Sequence, residues 1–107
     1  MAEPVDWVAL RAQCAADEVL VAELIAVFRR EVDGQLGDVA RAVAARDGAA
    51  LEHAAHRLKG ALVALAAGPA TEHAIALERC GIRRELQAAP AQLAQLQQEI
   101  ARLLAAI

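Results

Sequence analysis

The chain has 107 residues, of which 58% are hydrophobic and 2% aromatic, and its formal net charge is -3. This length predicts one domain, residues 1–107, and the abundance of Ala and Leu favours helix over strand. The mixed charges form no basic stripe, which argues against a nucleic-acid partner. No long apolar run or signal-peptide pattern indicates a membrane, so we expect a cytoplasmic protein.

The first predicted elements are a short N-terminal helix and a long second helix. Pro4 and Asp6 start the short helix, and Asp17 is placed to cap the long one. The apolar residues of the long helix recur every three or four positions, which predicts one buried stripe. These residues are Leu20, Leu24, Phe28, Val32, Leu36, Val39 and Val43. The turn signal Arg46-Asp47-Gly48 then ends the helix.

Three further helices complete the predicted fold. The third runs to about Ala66, the fourth runs from Gly68-Pro69 to about Leu86, and Ala88-Ala89-Pro90 separates it from the last. The third and last helices carry apolar stripes at helical spacing: Leu51, Ala55, Leu58, Leu62 and Leu65, then Leu93, Leu96, Ile100, Leu103 and Ile107. The pattern predicts an all-α, antiparallel up-and-down four-helix bundle with a short extra N-terminal helix.

The sequence contains no motif for a cofactor. It has no glycine-rich phosphate loop, nucleotide motif or cluster of acids that would hold magnesium, so we expect the chain to bind no cofactor or metal. Cys14 and Cys80 lie far apart without a CxxC pair. They are expected to be reduced, packed thiols.

A second stripe on the third helix carries the chemistry. Glu52, His56, Lys59, Gly60 and Val63 are three or four residues apart or adjacent, which predicts one face turned to solvent. Glycine within a helix costs about 1 kcal/mol relative to Ala, and its bare backbone leaves room for another protein beside the imidazole. An ammonium at i+3 suits a phosphoryl group on that imidazole. An ordinary solvated His and Lys remain the alternative interpretation.

The run Ala55-His56-Arg57-Leu58-Lys59-Gly60 resembles the Ala-His-x-Leu-Lys-Gly signature of histidine-containing phosphotransfer (Hpt) domains, which lies on the second long helix of a four-helix bundle. Leu77-Glu78 is similar to the Leu-Glu of the family's next helix, at the same spacing. Phe28, Asp47 and Leu51 also fit the family pattern. The resemblance therefore covers nearly the whole chain.

One segment departs from the family pattern. After Gly60 the family commonly continues with Ser, small residues and Leu-Gly-Ala, whereas here Ala61–Ala67 contains no glycine and the next one is Gly68. We therefore expect the third helix to run a little further and the following loop to differ.

The resemblance implies a phosphocarrier and a set of residue roles. His56 would accept a phosphoryl group on its distal nitrogen, while Glu78 accepts a hydrogen bond from the proximal N–H and orients the ring. Lys59 would offset the charge on the phosphoryl oxygens. The partner-binding residues would be Glu52, Gly60 and Val63.

The resemblance also implies the partners. A receiver domain of a response regulator would donate from its phospho-aspartate, and a second receiver aspartate would accept; a hybrid histidine kinase is a further expected partner. The magnesium ion and most catalytic groups would belong to the receiver, so we expect the chain to be a phosphorylated intermediate and not an autonomous enzyme. We also expect it to be a monomer.

Two other functions remain open from the residues. The chain could be an interaction scaffold that docks receiver or kinase domains without carrying phosphate. It could also be a metal-binding bundle, because Glu52, His53 and His56 are spaced to converge, with His73 the only other imidazole.

Overall fold

The computed structural model describes residues 2–107 and is helical almost throughout. The elements are α1 (Trp7–Gln13), α2 (Glu18–Ala45), α3 (Gly48–Ala64), α4 (Gly68–Arg83) and α5 (Ala89–Ala106), with a short 3-10 helix at Leu86–Ala88. No strand occurs among the described residues, which confirms the predicted all-α class. None of the helices in residues 2–107 is long and apolar enough to cross a membrane.

Three of the helices begin at an aspartate cap. The carboxylates of Asp6, Asp17 and Asp47 each accept a hydrogen bond from a backbone N–H in the first turn of α1, α2 and α3. Such bonds satisfy donors that the helix itself cannot pair. α4 instead begins at Gly68 with Pro69 in its first turn. The predicted starts of α1, α2, α3 and α4 are therefore confirmed.

Just after its last turn, each of the helices α2, α3 and α4 has a non-glycine residue in the left-handed conformation. Arg46, Ala66 and Arg84 have φ values of 52°, 54° and 56°. The backbone N–H of each of these residues donates a hydrogen bond to a carbonyl group near the end of the helix, and so does the N–H of the residue after it. This pattern is the Schellman motif, which ends a helix and pairs its last carbonyl groups.

These motifs shift two predicted boundaries. α3 ends at Ala64 and not near Ala66, so it does not run further as expected. α4 ends at Arg83, three residues before the predicted Leu86. The main break before the last helix lies at Arg84 and Glu85, and Pro90 falls inside the first turn of α5. The predictions were wrong because glycine and proline do not mark these ends.

The core is centred on α3, whose predicted stripe is entirely buried. α3 packs between α2 and α4, and α5 packs against both α4 and α2. On α2 the buried residues include Val21, Phe28, Val32 and Val39, while the predicted Leu20 is 40% exposed. The buried face of α2 is therefore rotated relative to the predicted stripe at its N-terminal end. On α5, Leu96, Ile100 and Leu103 are buried as predicted, and Leu93 and Ile107 are half-buried.

The backbones of α3 and α4 approach closely at Gly81. A Cβ atom placed on Gly81 would lie 2.6 Å from the backbone nitrogen of Glu52 and 2.7 Å from the carbonyl oxygen of Gly48. Real Cβ atoms do not come this close to backbone, so only glycine permits this spacing. The contact holds the C-terminal half of α4 against the start of α3.

The segment around α1 covers the end of α3. The backbone N–H of Asp6 donates to the carbonyl of Ala66 at 3.0 Å, and the side-chain amide of Gln13 donates to the carbonyl of Ala64 at 3.0 Å. These bonds pair carbonyl groups that the helix end leaves free.

Both cysteines are buried and form no disulfide, as predicted. Burial raises the pKa of the Cys80 thiol, and the negative charge of Glu85 raises it further. A protonated, buried thiol is a poor nucleophile. Cys80 is therefore a packing residue of the α4 face.

Candidate functional site

His56 projects from the middle of α3 on the side opposite its buried stripe. The side chain is 68% exposed, whereas its neighbours Ala55 and Leu58 are fully buried. This difference follows from the helical period, which places residues one and two positions away on other faces. The imidazole is accessible to another protein.

Glu78, on α4, joins His56 and Lys59 in one cluster. Its Oε2 atom lies 2.5 Å from Nδ1 of His56, and its Oε1 atom accepts a hydrogen bond from Nζ of Lys59 at 2.7 Å. The carboxylate is mostly buried, with 14% of the side chain exposed. Both of its oxygen atoms are thus occupied, one by each partner on α3.

The ionisation of Glu78 determines which nitrogen of His56 is free. Burial raises the pKa of Glu78, but the hydrogen bonds and charges of Lys59 and His56 outweigh it, so the pKa lies below its ordinary value. An ionised carboxylate can only accept a hydrogen bond, so Nδ1 of His56 must carry a proton. In the neutral ring the lone pair then lies on Nε2.

Lys59 and Glu52 are less exposed than the predicted solvent-facing stripe implies. The Lys59 side chain is 26% exposed because its ammonium group turns toward Glu78. Glu52 is half-buried where α3 meets Gly81 of α4. The stripe is therefore open to solvent only in part, with its edge covered by α4.

Gly60 and Val63 lie on the open part of the stripe. Val63 is 52% exposed, and a Cβ atom placed on Gly60 would meet no other atom within 4 Å. The packing of the bundle therefore does not require glycine at position 60.

An exposed residue near the site, Ile82, is absent from the sequence prediction. It is 55% exposed and lies one helical turn after Glu78 on α4. The signal that could have found it is the i, i+4 spacing from Glu78, which places both side chains on one face of α4. Val63 and Ile82 are thus large apolar side chains exposed toward opposite ends of the site.

The residues of the metal alternative do not converge. In residues 2–107 no group of three His, Cys, Asp or Glu side chains could hold a metal ion. His53 is exposed, and Nδ1 of His73 lies 3.0 Å from Oε1 of Gln92 on α5. His53 and His73 therefore take no part in the contact between His56 and Glu78.

An all-helical fold with an exposed imidazole, backed by a buried carboxylate, defines a class of proteins that can carry a group on histidine. The family model described as "Hpt domain" matches residues 23–106. The chain belongs to the Hpt domain family and has a histidine phosphotransfer role in a phosphorelay.

A solved structure supports the family assignment. The chain is similar to the crystal structure of histidine-containing phosphotransfer protein B (HptB) from Pseudomonas aeruginosa PAO1, with a TM-score of 0.88 and 29% sequence identity. The similarity covers 97% of this chain and 90% of that chain. A search of curated proteins found no match.

Proposed function

We propose that His56 is the residue that carries the phosphoryl group, accepting it from the phospho-aspartate of one receiver domain and passing it to the aspartate of another. The observation that supports this role is the contact between Nδ1 of His56 and Glu78, because it leaves Nε2 as the nucleophilic nitrogen of an exposed ring. His53, one turn earlier, is exposed without such a carboxylate contact among residues 2–107.

The bonds that form and break in the transfer involve only the phosphoryl group, the imidazole and the two aspartates. The lone pair on Nε2 of His56 attacks phosphorus, a P–N bond forms, and the P–O bond breaks so that its electrons leave with the donor carboxylate. The ring becomes positively charged while it keeps the proton on Nδ1, and the carboxylate of Glu78 stabilises that charge. Attack by the second aspartate reverses these steps and restores the neutral ring.

Lys59 acts first through Glu78. Its hydrogen bond to Oε1 fixes the carboxylate so that Oε2 stays directed at the imidazole. Once a phosphoryl group is attached to His56, the same ammonium charge offsets the negative charge of the phosphoryl oxygens. Lys59 is thus a positioning residue in the free protein.

The phosphocarrier role extends to the cofactor and the partners. The chain itself supplies no cofactor and is not an enzyme by itself, and the receiver supplies the magnesium ion. Glu52, Gly60 and Val63 belong to the docking surface, the partners are response-regulator receivers and a hybrid histidine kinase, and the chain works as a monomer in the cytoplasm.

The proposed architecture is one domain in which α2 to α5 form an antiparallel up-and-down four-helix bundle, with α1 as the additional helix. The packing of α3 between α2 and α4, with α5 against α4 and α2, supports this arrangement.

The central experiment compares His56→Gln with the matched variant His53→Gln. Each protein is incubated with a phosphorylated receiver domain, and acid-labile, base-stable phosphate on the chain is measured. We expect His53→Gln to be labelled like the wild type and His56→Gln to remain unlabelled with an unchanged circular-dichroism spectrum. Normal labelling of His56→Gln would refute the proposal. A wild-type chain that binds receivers but never becomes labelled would instead indicate the interaction scaffold.

A further inference from the structure

Two glycines in the middle of helices have no role inside the described fold. Gly34 on α2 and Gly60 on α3 are exposed, neither has a positive φ, and a Cβ atom on either would meet nothing within 4 Å. Glycine weakens the interior of a helix relative to Ala. Because neither backbone conformation nor packing requires these glycines, the simplest use of their bare backbone is to admit a surface from outside.

Gly34 lies on a charged groove between α2 and α3. The groove is lined by Arg30, Glu31, Gly34, Gln35, Asp38, Arg41 and Arg57. Arg57 lies three residues before Gly60 on α3, and both residues are exposed, so the groove adjoins Gly60 on the surface of that helix. A partner that covers Gly60 can therefore reach Arg57 and the groove that contains Gly34.

The groove carries unpaired positive charge. It contains three guanidinium groups and two carboxylates, in a chain whose formal net charge is -3. Arg41 pairs with Asp38, whereas Arg30 and Arg57 form no ion pair with any residue in 2–107. A guanidinium binds a carboxylate through two parallel hydrogen bonds, so this pair of arginines suits an acidic protein surface.

The groove also contains an unpaired polar group. Gln35 is 8% exposed, and within residues 2–107 its Oε1 atom has no hydrogen-bond partner. Buried polar atoms are nearly always paired in native proteins. A donor supplied by a partner would satisfy this oxygen once the Gln35 side chain turned toward the groove.

We propose that the α2–α3 groove is the second half of the receiver-docking surface and that Arg30 and Arg57 select receivers that present acidic side chains to it. This inference rests on the phosphotransfer role of His56. Charge complementarity of this kind acts on encounter and partner choice more than on the chemical step.

The test measures transfer to the chain as a function of receiver concentration. The donor is the fastest of a panel of receiver domains phosphorylated with acetyl phosphate. We expect Arg30→Glu and Arg57→Glu each to raise the half-saturating receiver concentration about tenfold, with the maximal rate nearly unchanged. The matched control is Arg29→Glu, because Arg29 is turned toward α5, where it contacts the Leu104 carbonyl. It should behave like the wild type.

The proposal also requires that a receiver surface lies close to the bare backbone of Gly34. The variant Gly34→Gln tests this requirement, because it adds a large side chain there. This variant should also raise the half-saturating concentration, whereas Ala94→Gln, at an exposed position of α5, should not. Circular dichroism and melting curves check the fold of every variant. Should a charge reversal unfold the protein, the milder Arg30→Gln and Arg57→Gln replace it, with the same expected direction.

The outcomes separate the two proposals. If the folded arginine and Gly34 variants have the same half-saturating receiver concentration as the wild type, the docking inference is overturned and the role of His56 is left intact. Failure of the proposed function would show differently, as a wild-type chain whose His56 is phosphorylated neither by the receivers nor by phosphoramidate, a small donor that needs no docking.

Discussion

At the scale of single residues, Glu78 connects the ionisation of the site to the stability of the fold. Its carboxylate is mostly buried between α3 and α4 and bridges His56 and Lys59. Burial without these partners would favour the neutral acid, whereas the two hydrogen bonds favour the ionised form. The same contacts that select the nucleophilic nitrogen of His56 therefore also hold the two helices together.

This connection predicts a pH dependence that Glu78→Gln should remove. Because the pKa of Glu78 is lower in the folded chain, its stabilising contribution is present above the ordinary value of 4.5 and is lost as the pH falls from there through the folded value. Urea unfolding of both proteins should show a stability difference that shrinks as the pH falls from about 7 to about 3. A difference that stays constant with pH would contradict the prediction.

Sequence and structure differ in what they reveal about these residues. The family resemblance predicted that Glu78 lies beside His56, and the structure places them in contact. The position of the Lys59 ammonium could not be predicted, because a long side chain at the edge of a stripe has several rotamers and its partner lies on another helix. Gly81 was missed because its requirement for glycine comes from the backbone of α3.

At the scale of helices, the starts were predicted better than the ends. An aspartate before an apolar run is a local signal, and Asp6, Asp17 and Asp47 all act as caps. The end of α3 at Ala64 carries no such signal, because an alanine takes the left-handed position usually filled by glycine. The turn after α3 therefore forms without the glycine that would have marked its position in the sequence.

The strained end of α3 predicts that Ala66→Gly stabilises the chain. A left-handed alanine costs about 1–2 kcal/mol, and glycine removes that cost but loses about 0.4–1 kcal/mol through the greater freedom of the unfolded chain. We expect the free energy of unfolding to rise by roughly 0.5–1 kcal/mol in urea titrations. Ala26→Gly, at an exposed position inside α2, should lower it. A loss of stability in Ala66→Gly would show that φ strain is absent at this turn.

At the scale of the whole molecule, the packing of α3 against α4 sets the geometry of the site. The apolar stripes of the sequence predict that one face of α3 is buried, and the structure buries the Leu-rich stripe of α3 as predicted. The stripes do not predict how near each neighbour comes, because interhelical distance depends on the small residues that meet at each crossing. Gly48 and Gly81 meet at the α3–α4 crossing, close to the turn of α4 that carries Glu78.

The last prediction is that Gly81→Ala damages both the fold and the site, in contrast to Gly60→Ala. A methyl group on Gly81 would be forced against the backbone of Glu52 and Gly48, which should lower the free energy of unfolding by about 1–3 kcal/mol. The separation of the helices should also draw Glu78 away from His56 and slow phosphotransfer. Gly60→Ala meets open space, so it should gain up to about 1 kcal/mol while hindering a docked receiver.

Three measurements distinguish these effects: urea unfolding, the transfer rate at saturating receiver, and the nitrogen chemical shifts of the His56 ring. In Gly81→Ala the shifts should move toward a mixture of tautomers, because the acceptor of the Nδ1 proton is displaced. In Gly60→Ala they should stay unchanged, because the added methyl group meets no other atom and so leaves the contact between His56 and Glu78 in place. A Gly81→Ala protein with wild-type stability and wild-type shifts would show that the close approach of α3 and α4 does not hold the imidazole in place.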